Sequence, residues 1–219
     1  MSAAKLDLLT SSLWETLYMV AVSGGLSALL GIPLGILLYT TKSGRMLQNP
    51  WLHRLLGIVV NATRSVPFII LLVAIIPFTR WIVGTSIGTT AAIVPLTLGA
   101  IPFVARITEG ALNEVPGGLI EAAQAMGATP WQIVRKVLLA EAMPGLIHGL
   151  TLMLITLIGY SAMAGAIGGG GLGDLGIRYG YQRFDSSMMI STVVILIVLV
   201  QLVQSLGDWL VRRYDHTRH

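Results

Sequence analysis

Several groups of residues in this chain are of types that can do chemistry. The run Gly168–Gly176 (GGGGLGDLG) contains G-x-G-x-x-G, which cradles a dinucleotide pyrophosphate when a strand precedes it and a helix follows. Here an apolar stretch of membrane-span length precedes it, so it reads as an external loop, flexible or tightly packed, and not as a nucleotide site. His53, His148, His216 and His219 are scattered, with no H-E-x-x-H or other metal-ligand spacing. No G-x-x-x-x-G-K-[ST] is present to hold ATP phosphates. The absence of cysteine removes disulfides, thiolate catalysis and Cys-ligated metal sites. Thr156, Tyr160, Ser161 and Met163 fall within one apolar stretch. Their mixed hydroxyl and thioether surface suits a passage for a small solute, although Tyr160 and Met163 serve equally well as packing residues. No catalytic residue and no cofactor site follow from these patterns.

The elements that must position these residues are membrane helices. Of 219 residues, 54% are apolar and 11% charged, against about 25% charged in a soluble domain, and the mean hydropathy is +0.79. Disorder and a soluble enzyme are both excluded by such numbers. The net charge of +4 comes from short segments between apolar runs, as in a topology signal; a nucleic-acid surface would gather it on one face with aromatics. Stretches of roughly 20 apolar residues are needed to cross a bilayer. Five are found, at about Trp14–Tyr39, Leu55–Phe78 (interrupted by Asn61–Ser65), Ala91–Ala105, Leu146–Ile167 and Met188–Leu210. Aromatics near several ends, such as Trp14, Tyr39, Trp81, Tyr181 and Trp209, fit interfacial belts in membrane lipid.

The third stretch is short and carries Pro95 and Pro102, so the charges must decide whether it spans. With five spans and the N-terminus outside, Lys42, Arg45, Arg54, Arg64, Arg106, Arg135, Lys136, Arg212, Arg213 and Arg218 lie inside. Only Lys5, Arg80, Arg178 and Arg183 lie outside, a split of ten to four. The split becomes six to eight if the third stretch does not span. The positive-inside rule therefore predicts five spans with the N-terminus out and the C-terminus in. Residues 1–13 form an extracellular segment, 14–210 a transmembrane domain and 211–219 a cytoplasmic tail. Within the first span, Ser23, Ser27, Gly31 and Gly35 make a stripe of small residues that lets another helix approach, and packing within one subunit is the simpler use of it. Arg64 is placed near the cytoplasmic end of the second span, snorkelling or paired. Arg106 and Glu109, three apart on a helix, form a local ion pair. Asp174, Arg178, Arg183 and Asp185 are external loop charges.

The longest polar stretch, about Glu109–Gly145, falls on the cytoplasmic side. Its sequence predicts two short helices around a break. Leu119–Met126 is slim, with Ala122, Ala123 and Ala125. Gly127 ends it in a left-handed conformation. Thr129 caps a second helix with Pro130 at its first position, and Pro144 closes the segment before the fourth span. A small-faced helix of this kind suits docking in a partner's groove.

Glu121-Ala122-Ala123, three residues, then Gly127, with Val137 and Leu139 ten and twelve residues further on, resembles the signature loop of binding-protein-dependent ABC importer permeases. Ala140 stands where that family has proline. Blocks along nearly the whole chain, among them Arg64–Leu72, Ile76–Arg80, Val83–Gly88 and Gly159–Met163, resemble the methionine importer permeases of that family. The resemblance implies an all-α type I permease fold with five transmembrane helices in the bacterial cytoplasmic membrane. It implies a homodimer, two ATP-binding subunits that use ATP and Mg, and an extracellular methionine-binding protein. It assigns Glu121, Ala122, Ala123, Gly127 and Thr129 to coupling with the ATPase. Two rival readings follow from the same sequence. One is another amino acid or small sulfur compound as cargo. The other is an ion-coupled secondary carrier, which would show paired repeats and buried acids; no clear repeat is seen, and Glu15 and Asp208 lie near helix ends.

Overall fold

The computed structural model describes residues 3–214, so the tail residue Arg218 and the histidines His216 and His219 lie outside the described residues. All regular structure among the described residues is helical. The chain runs through α1 (Ala3–Thr41), α2 (Pro50–Ser65), α3 (Phe68–Ala74), α4 (Ile76–Val83) and α5 (Thr89–Asn113). Then come α6 (Gly117–Ala125) and α7 (Pro130–Ile133), the latter continuing through a π turn (Val134–Leu138) into α8 (Leu139–Glu141). α9 (Met143–Ala164) passes through a second π turn (Gly165–Gly169) to α10 (Gly171–Leu175), and a third (Gly176–Tyr181) precedes α11 (Ser186–Tyr214). Four helices, α1, α5, Met143–Gly169 and α11, are long and apolar enough to cross a membrane. The pair α2–α3, bent by 100°, makes a fifth if taken as one broken span.

Three expected boundaries change. The second stretch is not one straight span: Pro67 lacks an N–H and pushes Val66 out of the helical region, leaving Val66 extended at φ −83°, ψ 124°. The third is a full 25-residue helix reaching Asn113, because Arg106 and Glu109, which interrupt its hydropathy, satisfy one another. The first begins at Ala3 and runs unbroken for 39 residues, about 58 Å at 1.5 Å per residue.

The small-residue stripe fixes the centre of the bundle. Ser23, Ser27, Gly31 and Gly35 are all buried and face α5. A Cβ on Gly31 would lie 2.6 Å from Val104 Cβ, and one on Gly35 2.5 Å from Ala105 O, so only glycine permits this approach. Ser27 Oγ donates to Thr97 O at 3.1 Å. Lipid is as apolar as leucine and gives no hydrophobic drive between helices, so close packing and such bonds hold the seam. Met19, Leu96, Ala100, Val104, Met153 and Leu157 fill the core among α1, α5 and α9. α11 packs on α9, with Gly207 of α11 against Thr151. Its exposed Ile190, Val194, Ile197 and Leu202 form a face suited to lipid.

Candidate functional site

At one end of the bundle the polar loop folds into a projection. Tyr39, Leu112, Val115, Ile133, Val134, Leu138 and Leu146 build a small apolar core there. α6 contributes Ile120 and Ala123, the latter 4% exposed, to this core. Its other face carries Glu121 and Ala122, exposed to solvent. The break after α6 is a Schellman close: Gly127 has φ +78°, Ala128 N–H donates to Ala123 O at 3.0 Å, and Gly127 N–H donates to Gln124 O at 2.9 Å. Thr129 then caps α7. Gln132 N–H donates to Thr129 Oγ1 at 3.4 Å, and Thr129 N–H donates to Gln132 Oε1 at 2.8 Å, a capping box with Pro130 in the first turn. Both helix ends are thus closed locally, and exposed Met126 and Trp131 flank the break. Helix continues through Ala140 to Glu141, and Pro144 opens α9 after a break at Ala142. Of the five residues expected to couple, Glu121, Ala122, Gly127 and Thr129 lie on the exposed surface, while Ala123 is the anchor beneath.

Midway along the bundle, α2, α3, α5 and α9 enclose a cleft of about 220 Å³. Its lining includes Thr63, Arg64, Phe68, Gly99, Phe103, Met153, Thr156, Leu157 and Tyr160. Phe68 and Tyr160 stack in parallel, centroids 4.1 Å apart at 2°. Of the expected passage residues, Thr156 and Tyr160 line this cleft. Ser161 is buried elsewhere, its Oγ donating to Ile158 O at 2.8 Å, and exposed Met163 is not part of the lining. The spacing Met153, Thr156, Leu157, Tyr160 marks one helical face, a signal present in the sequence. Arg64 is not near a bundle end. α2 starts at Pro50 beside α1, where His53 Nδ1 lies 3.0 Å from Leu38 O, which carries Arg64 to the depth of Gly99–Phe103. A second cleft of about 210 Å³, lined by Leu72, Ile76, Thr79, Ala91, Pro95 and Gly169, continues along α3 and α5 toward the glycine run.

The glycine run closes the opposite end and is tightly packed. Gly171 N–H donates to Glu15 Oε2 at 2.7 Å, Leu172 N–H to Thr16 Oγ1 at 2.9 Å, and Gly88 N–H to Gly168 O at 2.8 Å. Glu15 and Thr16 are functional-looking residues that periodicity alone does not single out. The charges at this end of the bundle are engaged locally. Arg178 meets Asp174 at 2.5 Å and Lys5 meets Asp185 at 2.6 Å, while Arg183 lies over the Tyr179 ring. The hydrogen bond from Lys5, with that from Met188 N–H, holds the Asp185 carboxyl below the usual carboxylate range. Arg106 and Glu109 pair at 2.5 Å as expected, and Arg106 also reaches Asn61 Oδ1 at 2.9 Å, tying α2 to α5.

A helical membrane bundle with a capped, projecting helix at one end and a mid-depth cleft is the architecture of a transporter subunit. Residues 31–216 match the family described as binding-protein-dependent transport system inner membrane component, and the chain belongs to that family. It is therefore a multi-pass inner-membrane permease component of an ABC transporter. It is 64% identical over 210 residues, 96% of this chain and 93% of its relative, to a probable D-methionine transport system permease protein of Vibrio cholerae. A corresponding protein of Pasteurella multocida is 51% identical over 210 residues, covering 96% and 97% of the two chains. A chain from the inward-facing MetNI methionine ABC transporter superposes with a TM-score of 0.97 at 56% identity, covering 99% of this chain and 100% of that one.

Proposed function

We propose that this chain is the permease of an ATP-driven importer that carries methionine into the bacterial cytoplasm by alternating access. The observation that carries the reading is the near-full-length likeness to methionine permeases, at 64% identity over 96% of the chain. Two copies of the chain form the pathway, with the N-terminus outside and the C-terminus inside. The loop from Glu114 to Ala142 lies in the cytoplasm. Two separate ATP-binding subunits use ATP and Mg there, and a methionine-binding protein delivers cargo at the glycine-run end.

In this reading Glu121 and Ala122 on α6 meet the ATPase, with Ala123 rooting the helix in the bundle. Closure of the ATPase dimer pushes on α6. The local closes at Gly127 and Thr129 keep α6 and α7 from unravelling under that push, so displacement reaches α5 and α9. Those helices wall the cleft, whose access then alternates.

Two measurements test this. The purified chain alone has no ATPase activity, and robust hydrolysis by it would count against the assignment. Gly127→Leu forces a side chain into φ +78°, at a cost of about 1–2 kcal/mol. In the reconstituted complex it uncouples, with hydrolysis retained and methionine uptake reduced at least about fivefold. Wild-type uptake by this variant removes the coupling role.

A further inference from the structure

Arg64 is the only charged side chain among the described residues that lines the mid-depth cleft. Among the described residues no hydrogen bond or ion pair engages it. The acid within α5, Glu109, is already taken by Arg106. An arginine keeps its charge at any working pH, and Arg64, itself exposed, has its guanidinium free to meet a ligand that enters the cleft. The wall around it is apolar and soft. It consists of the Phe68–Tyr160 stack, Phe103, Met153 and Leu157, with the Thr63 and Thr156 side chains beside it. No carboxylate among the described residues lines the cleft, so there it offers a charged partner for an anion and none for a cation. The volume of about 220 Å³ holds several waters or one small amino acid.

We infer that Arg64 receives the α-carboxylate of the amino acid in transit while the aromatic and thioether wall receives its uncharged side chain. The inference rests on the permease reading above and deepens it. The planar guanidinium can take a carboxylate through two parallel N–H···O bonds. It supplies a brief resting point between the two ends of the bundle. Selectivity at this point runs against amino acids with a cationic side chain, because Arg64 repels the second positive charge and nothing opposite compensates it. An apolar side chain gains contact with sulfur and rings.

The test uses the whole complex, with its ATP-binding subunits and binding protein, in proteoliposomes, and L-methionine as the probe. The readout is methionine taken up per ATP hydrolysed. Arg64→Gln lowers that ratio about tenfold, the scale of one lost charge-assisted contact, with assembly and basal hydrolysis intact; Arg64→Lys restores part of it. Arg64→His gives an independent readout. Relative to the unmodified complex, its ratio rises as pH falls through the imidazole range near about 6.5. An unchanged ratio in Arg64→Gln overturns the inference. So do equal losses in the Gln and Lys variants, or a pH profile of the His variant that parallels the unmodified complex. Absence of methionine uptake by the unmodified complex overturns the functional reading, and this inference with it.

Discussion

Along one side of α5 the backbone of α1 approaches until Gly31 and Gly35 touch Val104, Ala105 and Thr108. Along the other side, α2–α4 reach α5 through side chains: Phe68 against Gly99, and Arg106 to Asn61. Both contacts are apolar in the main and sit at the same depth, yet they differ in what they allow. Where backbones meet, any sliding drives atoms into atoms. Where side chains alone make the contact (the Phe68 ring, Arg106, and Val60 against Leu38 and Ala105), the partner can pivot and remake it. In lipid, separation carries no hydrophobic penalty, so closeness of approach decides which helices form the rigid body. The seam is therefore expected to act as the frame, and the part of the arm beyond Pro67 to be what shifts over the cleft.

The largest expected effect breaks the seam. Gly35→Leu puts a side chain where a Cβ would already lie 2.5 Å from Ala105 O, so α1 and α5 must part. The cost exceeds about 3 kcal/mol, the upper end for overpacking, and the yield of monodisperse protein collapses; a normal yield and melting temperature would show that the seam is not the frame. Phe68→Ala strikes the arm instead. It loses the stack on Tyr160 and costs about 3 kcal/mol, the lower end for a buried Phe→Ala, with the protein still folded in detergent and the melting temperature lowered. A loss as severe as that of Gly35→Leu would erase the contrast.

Asp185→Asn lies outside both regions and sets the floor. The Asp185 carboxyl is held below its usual range chiefly by the Lys5 hydrogen bond. Its contribution is therefore fully present above the usual carboxylate range and lost only as pH falls through the lowered value. The variant melts at most about 2 °C below the native protein, as for other exposed ion pairs, and by the same margin at pH 7 and pH 5. A margin that shrinks across that interval would contradict the direction of the shift.

Local chemistry was the most legible part of this chain. The break at Gly127, the Thr129 cap and Pro130 lie within a few residues of the partners that satisfy them, and the structure reproduces that order. The stripe of Ser23, Ser27, Gly31 and Gly35 likewise announces a close helix neighbour, though not that it is α5. Direction was illegible. Hydropathy counts apolar residues without registering which way the chain travels, so Leu55–Phe78 reads as one span although the helix axis turns by 100°. Burial of charge was also hidden. Arg106 and Glu109 look like the edge of a span until their pairing is seen, which is why the third helix reads short. For the cleft, Thr156 and Tyr160 share a helical face and belong together, whereas Ser161 and Met163 are neighbours in sequence that rotate away. The expected depth of Arg64 depended on where α2 begins, and a proline-led start at Pro50 is invisible to an apolar count.

The bond from Ser27 to Thr97 spans 70 residues of chain, and that interval has a price in time. At about 5–20 residues per second of synthesis, α1 is made about 4–14 s before the part of α5 that covers its stripe. During that wait the Ser27 hydroxyl and two bare stretches of backbone at Gly31 and Gly35 stand without their partner. The insertion machinery that receives the growing chain must therefore shelter a half-built seam, and its residence time on α1 should scale with the length of chain between the two helices.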